Sequence, residues 1–223
     1  MSEQRISIDR QSTPAQIARG LTELILRHEL PTGRPIRESV LAAELGVSRN
    51  TVREAIRILE RSGLVRHEMN RGAVVREPSV DDLRDLFEAR LAIEVGAAMA
   101  APLPAAALAV RGAFTQLSAA LAASDAEAAI ASDLAFHTAI VGAVGSSRLT
   151  AAFTPLINEL RLYLSILAVA ENEYDDVGRI AAEHEVIVVA FEAHDRHRAA
   201  QEITAHIRGN AARLVALMGS RRE

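Results

Sequence analysis

Residues 46–61, GVSRNTVREAIRILER, constrain this chain more than any other stretch. Gly46 supplies the left-handed backbone freedom that ends one helix, and Ser48 is a strong N-cap for the next. From there Val52, Ala55, Ile56 and Leu59 recur on one face at helical period, while Arg49, Asn50, Arg53 and Arg57 fall on the other. Helix, tight turn, then a helix with an arginine-rich exposed face is the form in which a helix enters a DNA major groove. A guanidinium forks onto guanine or phosphate, and a carboxamide pairs with adenine. The plain alternative is an amphipathic helix with a solvated charged face.

The flanking residues favour the first reading. A helix is expected over 14–28, with Ile17, Leu21, Leu24 and Ile25 on one face. The segment 30–35 carries two prolines and a glycine and reads as a loop. A second helix over 37–45 is expected to turn Val40, Leu41 and Leu45 inward. Beyond the reading helix, two β-prone runs at 64–67 and 73–76 flank Asn70-Arg71-Gly72, the pattern of a hairpin with Arg71 at its tip.

LAAELGVSRNTVREAIRILERSGLV followed by NRGAVV resembles the winged helix-turn-helix of the GntR family of bacterial transcription regulators, over about residues 13–77. Where that family often has Thr-Pro after Ser-Arg, this chain has Asn50-Thr51. The resemblance implies double-stranded operator DNA as a partner. It places Arg49, Asn50, Thr51, Arg53 and Arg57 on the reading helix, and Arg71 and Gly72 at the wing.

A net charge of −4 argues against DNA until it is split by region. Residues 1–77 hold 13 arginines against 10 carboxylates, +3, and residues 78–223 hold 12 against 19, −7. The basic excess thus travels with the candidate reading helix. All 25 basic residues are arginine, and no cysteine exists to form disulfides or thiolate metal sites. The polar N-terminus carries no leader signature, and no apolar run reaches membrane-spanning length, so no membrane partner and a cytoplasmic location are expected.

Pro78-Ser79 reads as a domain boundary, with 1–77 a DNA-binding domain and 78–223 a second domain. The second half contains no strand-like run. It reads as six helices, 80–100, 104–123, 125–143, 147–170, 174–194 and 196–218, the third opening on a capping box from Ser124 to Glu127. The expected fold is therefore mainly α, an N-terminal winged helix-turn-helix followed by an all-helical bundle. Its spacing resembles the FCD ligand-binding domain of the FadR subgroup, with a helix count like the VanR-like branch. A homodimer is expected, because one winged domain makes too few contacts for tight specific binding.

Polar residues within the apolar stripes carry the chemistry. Asp133 and His137, four apart, share the stripe of Ile130, Leu134, Ile140 and Val141. His184 sits among Val177, Ile180, Ile187, Val188 and Phe191, and His206 among Ile203, Ile207 and Leu214. One carboxylate and three imidazoles from three helices point into one core. A buried carboxylate needs a compensating charge, and this donor set suits a divalent transition ion such as Zn²⁺ or Ni²⁺. The segments DLAFH, EHEVIVVAF and AHI also match the order of the metal ligands in FCD domains. Taken singly, each histidine reads as a hydrogen-bonded core residue.

Arg90 borders the stripe of the 80–100 helix, with Glu94 four residues on as a possible ion-pair partner. The family places an arginine facing the effector cavity in a context like EAR..IE. That implies a fork from Arg90 onto the carboxylate of a small metabolite, with Asn158 and Arg161 as further candidates. The overall reading is a metabolite-responsive transcription regulator, a repressor released by a small organic acid. The alternative from another class is a metal-dependent enzyme fused to a DNA anchor, with Glu183 or Glu185 as base.

Overall fold

The computed structural model describes residues 13–77, 79–171 and 176–220, with backbone alone at 166–171 and 220. The expected loose N-terminus, the Pro78 break and a helix start at 174 lie outside the described residues. The chain forms two compact units divided between Glu77 and Pro78.

The first unit holds α1 (Thr13–Leu26), α2 (Glu38–Leu45), α3 (Arg49–Arg61), β1 (Val65–Glu68) and β2 (Gly72–Val75). Gly46 adopts φ 65° and closes α2, and the Ser48 hydroxyl accepts from the Thr51 amide at 3.1 Å to open α3. Val52, Ala55, Ile56 and Leu59 are all buried. Each of the larger ones contributes roughly 1.5–3 kcal/mol through burial.

The helix before the turn corrects the sequence expectation. Ala42 is the buried residue of α2, whereas Val40 and Leu45 are 45% and 47% exposed. Val40 lies two residues, about 200° around the helix, from Ala42. Leu45 stands at the open C-terminal end, and Leu24 of α1 is also exposed. Two turns of helix leave room for one inward small residue, not a stripe.

The antiparallel hairpin pairs Val65 with Val75 and Glu68 with Gly72. Its turn uses positive φ at Asn70 (64°) and Gly72 (75°), where a β-branched residue would be strained. The 30–35 loop adds a third edge. Gly33 donates to the Val75 carbonyl at 2.9 Å, and Ile36 donates to that of Ala73 at 2.7 Å.

The second unit is α4 (Val80–Ala100), α5 (Leu103–Ala122), α6 (Ala126–Gly142), α7 (Ser147–Glu171), α8 (Val177–Glu192) and α9 (Arg196–Ser220). Helix α4 packs on α9, α5 lies against α6 and α8, α6 against α7, and α8 against α9. Ser79 caps α4 through the Asp82 amide at 3.0 Å. At α6 the cap is Asp125, accepting from Ala128 at 3.0 Å, because Ser124 takes a left-handed φ of 53°. The N-cap therefore sits one residue later than its sequence pattern suggests, and with Ala128 at N3 no reciprocal capping box forms.

Helix α5 also departs from expectation. It is long and apolar enough by composition to cross a membrane, whereas the sequence was expected to hold no apolar run of that length. It buries Ala106, Val110, Phe114, Leu117 and Leu121, and its Arg111 forks onto Glu192 of α8 at 2.7 Å.

Candidate metal centre and DNA-reading face

Helices α6, α8 and α9 bring Asp133, His137, His184 and His206 together, and one donor atom from each lies within 4.8 Å of the others. All four side chains are buried. Local helical period put them there, since each replaces one apolar member of an inward stripe.

The orientation of the three rings is the informative feature. His137 turns Nδ1 to Glu94 Oε2 at 2.6 Å. His184 turns Nδ1 to the Ile180 carbonyl at 2.8 Å, and His206 turns Nδ1 toward Glu183 Oε2 at 3.4 Å. Two Nδ1 atoms are thus hydrogen-bonded, that of His206 lies near a carboxylate without a hydrogen bond, and every Nε2 faces inward. The Nε2 atoms of His137 and His206 are 3.3 Å apart, and His184 Nε2 is 2.8 Å from Asp133 Oδ1. With Nδ1 carrying the proton, two Nε2 lone pairs point at one another, a repulsive arrangement that a cation removes. Ligands roughly 2.0–2.1 Å from one ion lie about 3.0–3.4 Å apart along a coordination edge, close to these spacings. The residues present fit a divalent ion bound by three neutral imidazoles and one carboxylate.

The electrostatics agree. Burial alone would raise the Asp133 pKa, but its contact with His184 and the other nearby imidazoles hold the carboxyl below its ordinary range. Burial lowers His206 to about 4, which keeps that ring neutral near pH 7. For His184 burial also acts downward, yet the Asp133 carboxylate outweighs it and raises the ring above its ordinary value.

Behind His137 stands a fully buried pair. Arg90 Nε donates to Glu94 Oε1 at 3.0 Å, and the guanidinium lies 5.1 Å from the Phe87 ring centre. Arg90 is 0% exposed, where the sequence placed it only at the border of the stripe. Its Nη1 and Nη2 have no hydrogen-bond partner among the described residues.

On the other side, Asp133, His184 and His206 floor a cleft of about 20 Å³, room for one water molecule. Its rim includes Arg179, Glu183, Asn210 and Arg213. Asn158 and Arg161 do not line this cleft. Asn158 is half-buried on α7, and Arg161 reaches Glu127 of α6 at 3.9 Å.

Neither candidate base suits that role. Burial acts to raise the Glu183 pKa, but His206 and Arg213 overcome it and hold the carboxyl at about 2. Glu185 is exposed.

Sequence reasoning singled out Arg90 but not the purpose of Glu94, and it passed over Arg179, Asn210 and Arg213. A signal existed for each arginine: Arg213 follows His206 by seven residues, and Arg179 precedes Glu183 by four, both same-face intervals.

In the first unit, Arg49, Asn50, Arg53 and Arg57 are exposed along α3. Thr51 is half-buried, and its hydroxyl is shared with that of Ser48 at 2.8 Å. Arg53 bonds Glu38 at 2.9 Å and Arg57 bonds Glu54 at 2.5 Å. At the wing, Arg71 joins Glu68 at 2.5 Å and the Gly33 carbonyl at 2.7 Å. Exposed pairs of this kind are worth about 0–1 kcal/mol, so a phosphate can displace them readily.

Comparison with known proteins now decides the family. Residues 13–75 match the model for bacterial regulatory proteins of the gntR family, and residues 85–209 match the FCD domain. The chain belongs to the GntR family. This GntR protein is 31% identical over 204 residues to the "Probable D-xylose utilization operon transcriptional repressor" of Paenarthrobacter nicotinovorans, covering 90% of this chain and 88% of the relative. It is 27% identical to the gluconate operon transcriptional repressor of Bacillus licheniformis, over 85% of this chain and 79% of that one.

Among solved structures, a GntR transcriptional regulator from Rhodococcus sp. RHA1 superposes with a TM-score of 0.75 at 26% identity, covering 92% of this chain and 99% of the other. Escherichia coli McbR/YncC shares the fold, with a TM-score of 0.70 at 19% identity over 92% and 97% of the two chains. The protein is a DNA-binding transcription regulator with an FCD ligand-binding domain, and its family and relatives are regulators rather than enzymes.

Proposed function

We propose that this GntR regulator is a cytoplasmic homodimeric repressor, released from its operator by a small organic acid bound at a metal site in the FCD domain. Residues 1–77 act as the DNA-binding domain, and residues 78–223 bind metal and effector and hold the dimer. On DNA, Arg49, Asn50, Arg53 and Arg57 line the groove-facing side of α3, with Thr51 in its first turn and Arg71 and Gly72 at the wing as further contacts. Six helices in the second unit support the VanR-like branch.

The observation that carries the effector half is the convergence of three Nε2 atoms and Asp133, with the His137 and His184 rings held from behind by hydrogen bonds at Nδ1 and that of His206 3.4 Å from Glu183. Asp133, His137, His184 and His206 would hold Zn²⁺ or Ni²⁺, and such an ion supplies Lewis-acid positions for a carboxylate or hydroxy-acid oxygen. Arg90 gives a second hold, because its two unpartnered, fully buried terminal nitrogens are matched to a carboxylate fork. The similar repressors of a D-xylose utilization operon and a gluconate operon point to acids derived from sugars as effectors.

Helix α4 carries Arg90 and Glu94 and is the covalent continuation of the wing, so a ligand that moves it has a route to the DNA-binding unit. A ligand regulates only if it binds the DNA-competent and DNA-free arrangements unequally. The test is metal analysis of the purified protein, followed by a thermal-shift screen of hydroxy and sugar acids with and without Zn²⁺. A true effector stabilises the metal-loaded protein by mass action and releases the operator. Protein that carries no metal, and whose stability and acid binding ignore added Zn²⁺ and Ni²⁺, would overturn the proposal.

A further inference from the structure

The cleft beside the candidate metal cluster has a built rim. Glu183 on α8 binds Arg213 of α9 with both oxygens, Nη1 to Oε1 and Nη2 to Oε2, each at 3.0 Å. Its Oε1 also accepts from Arg179 Nη1 at 3.3 Å. The same carboxylate lies 3.4 Å from His206 Nδ1. These three rim side chains are 26–30% exposed, so the network stands between solvent and the buried cluster. A space of about 20 Å³ admits a water but no organic acid. Anything larger must rearrange the Glu183 network to reach Asp133, His184 and His206.

The charge balance says what kind of molecule gains by doing so. Among the groups lining the cleft, Asp133 and Glu183 offset Arg179 and Arg213. Behind His137, Glu94 offsets Arg90. Asp176 also reaches Arg179, at 3.4 Å, but it is largely in solvent. The carboxylates and arginines sum to zero, and a divalent ion held by the imidazoles as neutral ligands brings the site to +2. A monoacid leaves half of that excess uncompensated in a partly buried place, where uncompensated charge is costly.

Resting on the metal-and-effector reading above, we propose that the effector is a dianion. One acidic group sits at the metal, and the second takes the place of Glu183 on Arg213 and Arg179. Arginine is suited to this exchange because its planar fork accepts one carboxylate in place of another with the same bidentate geometry. The two subsites share one cleft, which Asp133, His184 and His206 line together with Arg179 and Arg213. Arg213 Nη2 and His206 Nδ1 both contact Glu183 Oε2, at 3.0 and 3.4 Å, so little more than the width of the His206 ring separates that carboxylate from the metal-facing Nε2. A short aliphatic diacid is of the length to bridge them. The exchange also breaks the link that Glu183 makes between α8 and α9, which gives the binding event a structural consequence.

The test is calorimetric titration of the Zn²⁺-loaded full chain with matched pairs of probes, succinate against butyrate and malate against lactate. Wild type is expected to prefer each diacid by tenfold or more. R213Q and R179Q should reduce that preference to within about threefold, with zinc content verified for each variant. E183Q should move the other way and tighten diacid binding several-fold, because the arginines lose their resident competitor. A merely structural network would not give opposite signs.

Equal affinity for diacid and monoacid in wild type, or R213Q and E183Q shifting the preference in the same direction, overturns the dianion proposal while the metal-bound acid stands. If no acid of either kind binds the zinc-loaded protein, the effector reading itself falls, and this inference with it.

Discussion

Glu94→Gln is the substitution whose outcome follows most directly from the geometry. Glu94 uses one oxygen for Arg90 Nε at 3.0 Å and the other for His137 Nδ1 at 2.6 Å, and all three side chains are fully buried. Glutamine keeps the volume and one acceptor. If its oxygen serves Arg90, its amide nitrogen faces His137, and two donors cannot bond. The ring then moves its proton to Nε2, the atom that should hold the metal, or rotates away. Loss of such an outer carboxylate typically costs 10–100-fold in metal affinity, which is about 1.4–2.7 kcal/mol. Arg90 keeps an acceptor but loses the charge of Glu94, so a stability loss of up to roughly 3–5 kcal/mol accompanies the loss of metal affinity. The assay is competition for Zn²⁺ against a chromogenic chelator, with circular dichroism confirming helix content. E94D, which retains the charge, should recover part of the affinity. A folded E94Q protein that binds Zn²⁺ as tightly as wild type would refute the role assigned to Glu94 and the ring orientation deduced from it.

Other consequences are open to measurement. Arg49→Ala and Arg53→Ala should each cost about 1–3 kcal/mol in specific operator binding if the side chain reads a base; binding curves matching wild type at equal salt would remove α3 from the interface. Sedimentation should give a dimer bound to a two-fold symmetric operator, and a monomer on an asymmetric site would contradict that. Leu59→Ala, at a site 1% exposed, should lower stability by about 2–5 kcal/mol in denaturant unfolding, and a change under about 1 kcal/mol would mean that the α3 core tolerates collapse. In metal-free protein the Glu183 carboxyl is held at about 2 against an ordinary 4.5. Its stabilising contribution is therefore complete above about pH 4.5 and lost as pH falls toward 2. E183Q should unfold with a shallower acid dependence across that window, and parallel curves would deny the coupling.

The DNA-binding half was readable because its signals are local. A cap serine, a left-handed glycine and a 3.6-residue apolar period act within one or two turns of the chain, and they placed α3 and the hairpin to within a few residues. What failed there was non-local. Val40 and Leu45 satisfy an apolar pattern in α2, but only the partner surface decides which way two turns of helix face, and it receives Ala42. The same limit hid the edge that residues 33–36 add to the wing, since its hydrogen bonds run between segments some forty positions apart.

In the bundle, the donors Asp133, His137, His184 and His206 stood out because each is a polar residue where period demands an apolar one, and that anomaly belongs to one helix at a time. The groups that orient those donors carry no such mark. Glu94 looks like an i,i+4 partner of Arg90, and Glu183 looks like a surface carboxylate beside a histidine. Each gains its role by contact with another helix: Glu94 with His137 of α6, and Glu183 with His206 and Arg213 of α9. Periodicity reports whether a side chain points inward, but it does not report what meets it there. A donor set alone could also be three core histidines and a paired aspartate. Hydrogen bonds from Nδ1 of His137 to Glu94 and of His184 to the Ile180 carbonyl, with Glu183 3.4 Å from that of His206, turn the Nε2 atoms inward, the arrangement a metal-binding set would need.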